Sequence, residues 1–416
     1  MLSAYWVETG FVVAVLILIT TFLLPLFSSD LRQNSTVLYV YWFLILIHHL
    51  MAITNAYFFR TPGADMDANG FHWWGIELAT STEWSFNLGA MFYEHLLGAV
   101  YRWFGPSHLL GEQLSILIFA FSCIVFLKII HQLGLVRYRA SSLFIFGALP
   151  TMVFVGSVTL RESYQIFFFM LTVYFGVKML IKSGINANLI ALILFSLVLG
   201  IFHHGLLIYA AFLILVFFIW TLRPTTCFEN VKKTRLITWL VIPLLLEVLI
   251  ILSQMDIIGS AALNRIVNSG WLEAVAEFRE GLIRVPGRTT YGNFFDISSP
   301  VMVAYSSLKL YVYYLFAPFP WQFQNMMDVY AGMESTLRLI LIVFMVKQWR
   351  NTYGPQRRLF GLMVFLYFSM TFLWAMGTTN YGTALRHNML SWWILAITGV
   401  PLAMVKLNRL MVLVIK

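Results

Sequence analysis

Apolar residues in this chain gather into long runs broken by short polar stretches. They do not follow the tight alternation that marks half-buried soluble strands or helices. A helix crosses a bilayer with roughly 20 apolar residues, about 17 at the least. Runs near that size recur around 6–27, 36–59, 110–130, 141–157, 163–181, 188–201, 205–221, 236–257, 334–348, 358–376 and 389–405. The pattern predicts an all-α, polytopic transmembrane helical bundle of about eleven spans. It reads as a single membrane-embedded domain over 1–416. The runs at 188–201 and 334–348 are short, as expected of tilted or broken helices or of spans longer than their apolar stretch. Residues 301–320 are interrupted by Lys309 and end at Pro318 and Pro320, so they read as a re-entrant or interfacial helix. The first run has no basic stretch before it and no small-residue cleavage site after it, so it reads as a retained span and not a signal peptide.

Between the spans lie two long segments, 60–109 and 258–333, with a weaker, amphipathic pattern. In 71–84, Phe71, Trp74 and Leu78 recur at helical spacing. In 88–104, Leu88, Met91, Phe92, Leu96, Val100 and Phe104 form an apolar stripe, with Glu94, Gly98 and Arg102 on another face. In 271–284, Leu272, Val275 and Leu282 lie on one side and Glu273, Glu277 and Glu280 elsewhere. Such helices suit the interfacial zone of a bilayer. The plain reading of each is a structural collar lying on the membrane.

Composition sharpens the class. Hydrophobic residues make up 60% of the 416 and charged residues only 11%, against roughly 25% charged in soluble domains. A soluble enzyme, a disordered chain and a free nucleic-acid binder are excluded. The two cysteines, Cys123 in an apolar run and Cys227 in a basic stretch, imply no disulfide framework. The net charge of +9 reports basic loops. Arg137, Arg139, Lys178, Lys182, Arg223, Lys232, Lys233, Arg235, Lys347, Arg350, Arg357, Arg358, Lys406 and Arg409 all fall on one side of the predicted spans, which the positive-inside rule assigns to the cytoplasm. The opposite, outer face then holds both long segments and most of the unusual polar residues.

Those residues carry the candidate chemistry. Asp65 and Asp67 open the first outer segment, and Glu94 follows. Arg161 and Glu162 stand at the start of one span, His203 and His204 between two others. Arg288 and Tyr291 lie in the Gly- and Pro-containing loop Arg284-Val-Pro-Gly-Arg288-Thr-Thr-Tyr291, and Arg386 and His387 near the start of the last span. Singly, each has an ordinary explanation: a turn former, an interhelical bond, a snorkelling flank, a lipid headgroup contact. Gathered on one membrane face, carboxylates and cations suit glycosyl transfer from a lipid-phosphate sugar. A carboxylate takes the acceptor hydroxyl's proton, and cations hold the charge growing on the departing phosphate. No nucleotide-binding glycine loop or zinc spacing is present. No cofactor is implied, and two carboxylates alone make a poor divalent-metal site.

Asp65-Met-Asp67-Ala-Asn-Gly-Phe-His72, Tyr101-Arg-Trp-Phe-Gly-Pro-Ser107, Leu160-Arg-Glu-Ser163, Pro318-Phe-Pro-Trp321 and Gly382-Thr-Ala-Leu-Arg386-His387 resemble stretches of the GT-C superfamily of integral membrane glycosyltransferases, in particular bacterial members linked to surface polysaccharides. The resemblance implies a GT-C-like bundle in the bacterial inner membrane with its active site facing the periplasm. It implies a polyprenyl-phosphate-linked sugar donor and a glycan or lipid acceptor. Carried over, Asp67, or else Asp65, is the base. Arg161, Arg288, Arg386 and His387 are donor-phosphate candidates, and Glu94, Glu162, His203, His204 and Tyr291 line the substrates. The acidic loop follows the second span here, where the family places it after the first. No sizeable soluble carboxy-terminal domain is present, which argues against protein N-glycosylation. An O-antigen-type polymerase or ligase, and a lipid-linked glycan flippase, stand as rival readings.

Overall fold

The computed structural model describes residues 4–64, 67–82, 91–181, 185–222, 270–284 and 287–414. The fold is all-helical, 83% helix, with no strand among the described residues. Contacts divide the chain into two compact units, Met1–Ser260 and Ala261–Lys416.

In the first unit the helices are α1 (Ala4–Leu23), α2 (Ser35–Tyr57), α3 (Asp67–Thr80), α4 (Phe92–Phe104), α5 (His108–Gln132), α6 (Arg139–Gly147), α7 (Pro150–Gly156), α8 (Glu162–Ile181), α9 (Ile185–Ile201) and α10 (His204–Leu222). Their starts follow local chemistry. Asn34 caps α2, its side chain accepting from Val37 N at 3.1 Å, and Ser107 caps α5 by accepting from Leu110 N at 3.4 Å. Each satisfies an amide that the first turn leaves without a partner. The axis of the unit is α5, buried along most of its length and packed by α1, α2 and α8.

The interfacial helices stand where periodicity puts them, but α4 is turned the other way from a simple amphipath. Its stripe residues Met91 and Phe104 are exposed, while Tyr93, Glu94, His95, Gly98 and Tyr101 are buried. Phe92, Leu96 and Val100 are half-buried and Arg102 is exposed, so the ends of the stripe face outward while Glu94 and Gly98 of the polar face turn in. Periodicity fixes the stripe, but only the solvent decides which face is buried, and in a membrane the apolar face can be the outer one. Helices α3 and α4 pack against each other. A Cβ at Gly98 would lie 2.8 Å from Leu78 Cβ, so the absence of a side chain is what lets the two backbones approach.

In the second unit the helices are α11 (Trp271–Ile283), α12 (Pro300–Phe316), α13 (Met326–Asn351), α14 (Gly354–Gly377), α15 (Tyr381–Thr398) and α16 (Val400–Val414). Helix α11 is tied down by Arg279, only 2% exposed. Its Nη1 donates to the carbonyls of Met376 and Thr378, both at 3.0 Å, and of Ala375 at 3.4 Å. These are orphan carbonyls of the α14 C-terminus, which a cation satisfies best. Gly292, at φ +92°, leaves the space the guanidinium occupies. Burial pushes the Arg279 pKa down to about 10, so the group stays charged at neutral pH.

Among the described residues, six helices are long and apolar enough to cross a membrane: Thr9–Leu26, Ser35–Tyr57, His108–Gln132, Glu162–Ile181, Met326–Asn351 and Gly354–Gly377. Two bent pairs raise the number to eight, Val136–Gly147 with Pro150–Gly156 (61°) and Tyr381–Thr398 with Val400–Leu410 (51°). The count is therefore six to eight where about eleven spans are expected from the sequence. The runs at 188–201 and 205–221 form shorter apolar helices, Ala187–Ile201 and Gly205–Thr221. The run at 236–257 lies outside the described residues, as do Arg223, Lys232, Lys233 and Arg235. Pro150, and Pro401 beside Gly399, stand at the two bends, where a missing amide N–H breaks the helical ladder. The short run at 334–348 belongs to a 26-residue helix. Its first turns precede the predicted run and carry Asp328, which is buried, as are Glu334 and Arg338 within the run.

Candidate active site

In the first unit the α3–α4 pair, the end of α2 and the starts of α5 and α8 converge. Arg60, just past α2, donates from Nη2 to Asn69 Oδ1 on α3 at 3.2 Å. His72, two turns into α3, is buried and shares a hydrogen bond through Nδ1 with Tyr101 Oη on α4 at 2.9 Å. Its ring stacks on that of His108, the first residue of α5, at 3.7 Å and 25°. Burial, the His108 ring and the charge of Arg60 push the His72 pKa down to about 3. Burial and the charge of Arg60 push the His108 pKa down as well.

Of these residues, His72 and His108 line a groove. Its volume is about 1020 Å3, and Phe11, Val12, Ala56, Trp73 and Ile76 give it apolar walls. Asp67 is the first residue of α3 and is exposed. A carboxylate there also favours the positive end of the helix dipole, by about 0.3–1 kcal/mol. Asp65 lies outside the described residues.

Behind the groove is a buried polar layer. Arg161 lies over the Phe71 ring at 5.6 Å. Burial raises the Glu94 carboxyl above its usual range, and the nearby charge of Arg161 opposes the rise. Glu94, Glu112 and Glu162 are 5%, 6% and 1% exposed. One carboxylate oxygen each of Glu94 and Glu112, and the Tyr93 hydroxyl, are buried without a hydrogen-bond partner. Burial pushes the Tyr101 hydroxyl up, with Glu112 and Tyr164 adding to it. Buried carboxylate oxygens without a partner are uncommon and mark this layer as unusual for a packed core. His203 holds a narrower position: its Nδ1 accepts from Gly205 N at 3.1 Å and shapes the turn into α10. Its neighbour Phe202 packs on Phe92 and Tyr164. The His204 side chain lies outside the described residues.

The second unit carries its own cluster. Arg288 holds Asp328 in a two-pronged ion pair, Nη1 to Oδ2 at 2.6 Å and Nη2 to Oδ1 at 3.1 Å. Arg288 Nη1 also donates to Tyr381 Oη at 2.9 Å, and that hydroxyl donates to Asp328 Oδ1 at 3.1 Å. Asp328 is the third residue of α13 and completes a reciprocal cap with Asn325. The charge of Arg288 is therefore largely spent within the protein. Tyr291 is buried beside it. His387 Nδ1 pairs with Thr378 Oγ1 at 3.0 Å and its ring lies 3.9 Å from Trp374. Arg386 is half-buried on α15.

The sequence reading missed Arg60, His72, His108, Glu112 and Asp328. Asn325 with Asp328 ahead of an apolar run is a readable helix start. Glu112 is a lone carboxylate at the head of a span, a signal that stands out once the span is drawn. His72 and His108 share no spacing that would join them.

No protein-family model, no curated protein and no solved structure matches this chain.

Proposed function

We propose that this is a membrane glycosyltransferase of the GT-C type, moving a sugar from a polyprenyl-phosphate carrier to a glycan or lipid acceptor on the periplasmic face of the bacterial inner membrane. The observation that carries the proposal is the groove of the first unit. Its apolar walls suit a lipid chain. His108 lines it within reach of the Arg60 charge, which suits a phosphate, and in this reading the first turn of α3 adds its amides. Asp67 stands on that same first turn. A lipid phosphate has this composition: one charged end, one long apolar tail.

In this reading the acceptor hydroxyl attacks the anomeric carbon and its proton passes to the Asp67 carboxylate. The bond from that carbon to the phosphate oxygen breaks, and the phosphate leaves with the electron pair. Arg60 and His108 meet the growing negative charge in a site walled by apolar groups, where such contacts are strongest. Arg161, with Glu94 and Glu162 behind it, orders the polar hollow for the sugar. Arg288, Arg386 and His387 remain assigned to the donor phosphate by the resemblance alone. Sidedness has support within the first unit. The acid and cation cluster stands at the starts of α5 and α8, whereas Lys128, His131 and Lys178 share a cleft at their far ends, as the positive-inside rule requires.

Filling the groove tests the assignment. Ala56→Trp raises KM at least tenfold for a long-chain polyprenyl-phosphate sugar and leaves KM for a short-chain analogue within about twofold, the difference being a matter of buried tail contacts. Equal effects on both donors, or on neither, remove the groove as the tail site. Product length separates the rivals: one added sugar from a transferase, a ladder from a polymerase of the O-antigen type.

A further inference from the structure

The second unit carries a small cavity of its own. Its volume is about 250 Å3 and it is bordered by Arg288, Tyr291, Tyr313, Trp321, Tyr381 and the two glutamines Gln322 and Gln324. One wall is a rigid aromatic stack. The Trp321 ring lies on Phe319 at 4.9 Å and 8°. Phe319 meets Tyr313 edge-on at 5.3 Å, and Tyr313 lies 5.6 Å from Tyr291. The turn carrying Trp321 is fixed from within, Phe319 N donating to Gln322 Oε1 at 2.8 Å. Trp321 itself is 79% exposed, so one ring face is backed by protein and the other is open.

The polar groups of this cavity are neutral in sum. Arg288 is matched by Asp328, whose side chain is 1% exposed. Gln322 keeps its amide N–H groups to donate, and Gln324 and Tyr381 supply further hydrogen-bonding atoms. Tyr291 is 7% exposed, borders the cavity and has a buried hydroxyl with no hydrogen-bond partner. A buried hydroxyl left in this state costs free energy unless something enters to meet it. An open aromatic face beside convergent neutral donors and acceptors matches a sugar ring, which has C–H groups on one face and hydroxyls around its edge. Drug-sized ligands occupy sites of about 300 Å3 or more, so this cavity holds a single ring. From these features we infer that the cavity binds one neutral hexopyranose unit of a glycan, with Trp321 as its platform. As a saccharide site it stands with or without the transferase reading.

The test is saturation-transfer NMR on the full-length protein in detergent, using the methyl glycosides of glucose, galactose, mannose and N-acetylglucosamine, and methyl glucuronoside as the anionic counterpart. At least one neutral glycoside receives saturation at its ring protons. The signal falls at least fivefold in Trp321→Ala, is largely kept in Trp321→Phe, and falls in Gln322→Ala. Because the readout is binding, it is independent of whether the protein transfers a sugar. Three results overturn the inference: no transfer to any of the four neutral glycosides, a signal unchanged in Trp321→Ala, which makes the tryptophan a membrane-interface anchor, or a signal from the glucuronoside alone, which makes the cavity an anion site centred on Arg288.

Discussion

Asp67→Asn lowers sugar transfer by about 10²–10⁴-fold, the range of a lost general base, and leaves the protein folded and inserted. The side chain is exposed at the first residue of α3, so asparagine fits without strain. The structural loss includes a dipole contribution of about 0.3–1 kcal/mol. A residue that served only the helix would give that small stability change with unchanged turnover. The two roles separate when kcat and the thermal unfolding temperature are measured on the same preparation. Normal turnover by Asp67→Asn, together with normal turnover by Asp65→Asn, removes the base from this segment.

Arg279→Met costs stability on the order of 4 kcal/mol. Methionine fills much of the space but donates nothing, and the carbonyls of Ala375, Met376 and Thr378 at the end of α14 lose their shared donor. Each carbonyl left dry in a buried setting costs about 1–3 kcal/mol. The loss is read as a lowered unfolding temperature in detergent. Arg279→Lys recovers only part of it, since an ammonium can meet the carbonyls that Nη1 serves but lacks the second prong by which Nη2 donates to Gly292 O at 3.5 Å. An unfolding temperature within a degree of the parent in Arg279→Met would mean that water takes over these carbonyls and that α11 is held by other contacts.

The apolar runs made the membrane class legible, because length and charge depletion together leave a helix few other places to go. The interfacial helices were legible too: periodicity located α3, α4 and α11. What one-dimensional pattern could not supply was direction. The stripe of α4 reads the same whether it meets protein or lipid, and only the buried Glu94, His95 and Tyr101 show that the polar face turns inward. Arg279 was hidden in the same way, as one charge among the glutamates of an amphipathic helix. The start of α13 was hidden because Asp328, ahead of the predicted run, looks like a loop residue until its burial is seen. Of the site, Arg161 with Glu94, and Arg288 with Tyr291, were legible as unusual polar residues. The stacking of His72 on His108 depends on α3 folding back over the head of α5, a tertiary event with no local signal.

The central claim is that a sugar moves from a lipid phosphate. Its most direct test is to incubate the purified protein with a panel of polyprenyl-phosphate sugars and a native membrane extract, and to follow every glycan and lipid by mass spectrometry. The account predicts a product heavier than its acceptor by one sugar residue, with release of the polyprenyl phosphate, and no such product from Asp67→Asn. Movement of intact lipid-linked glycan across liposomes, with no change in the mass of any component, would contradict it and identify a flippase.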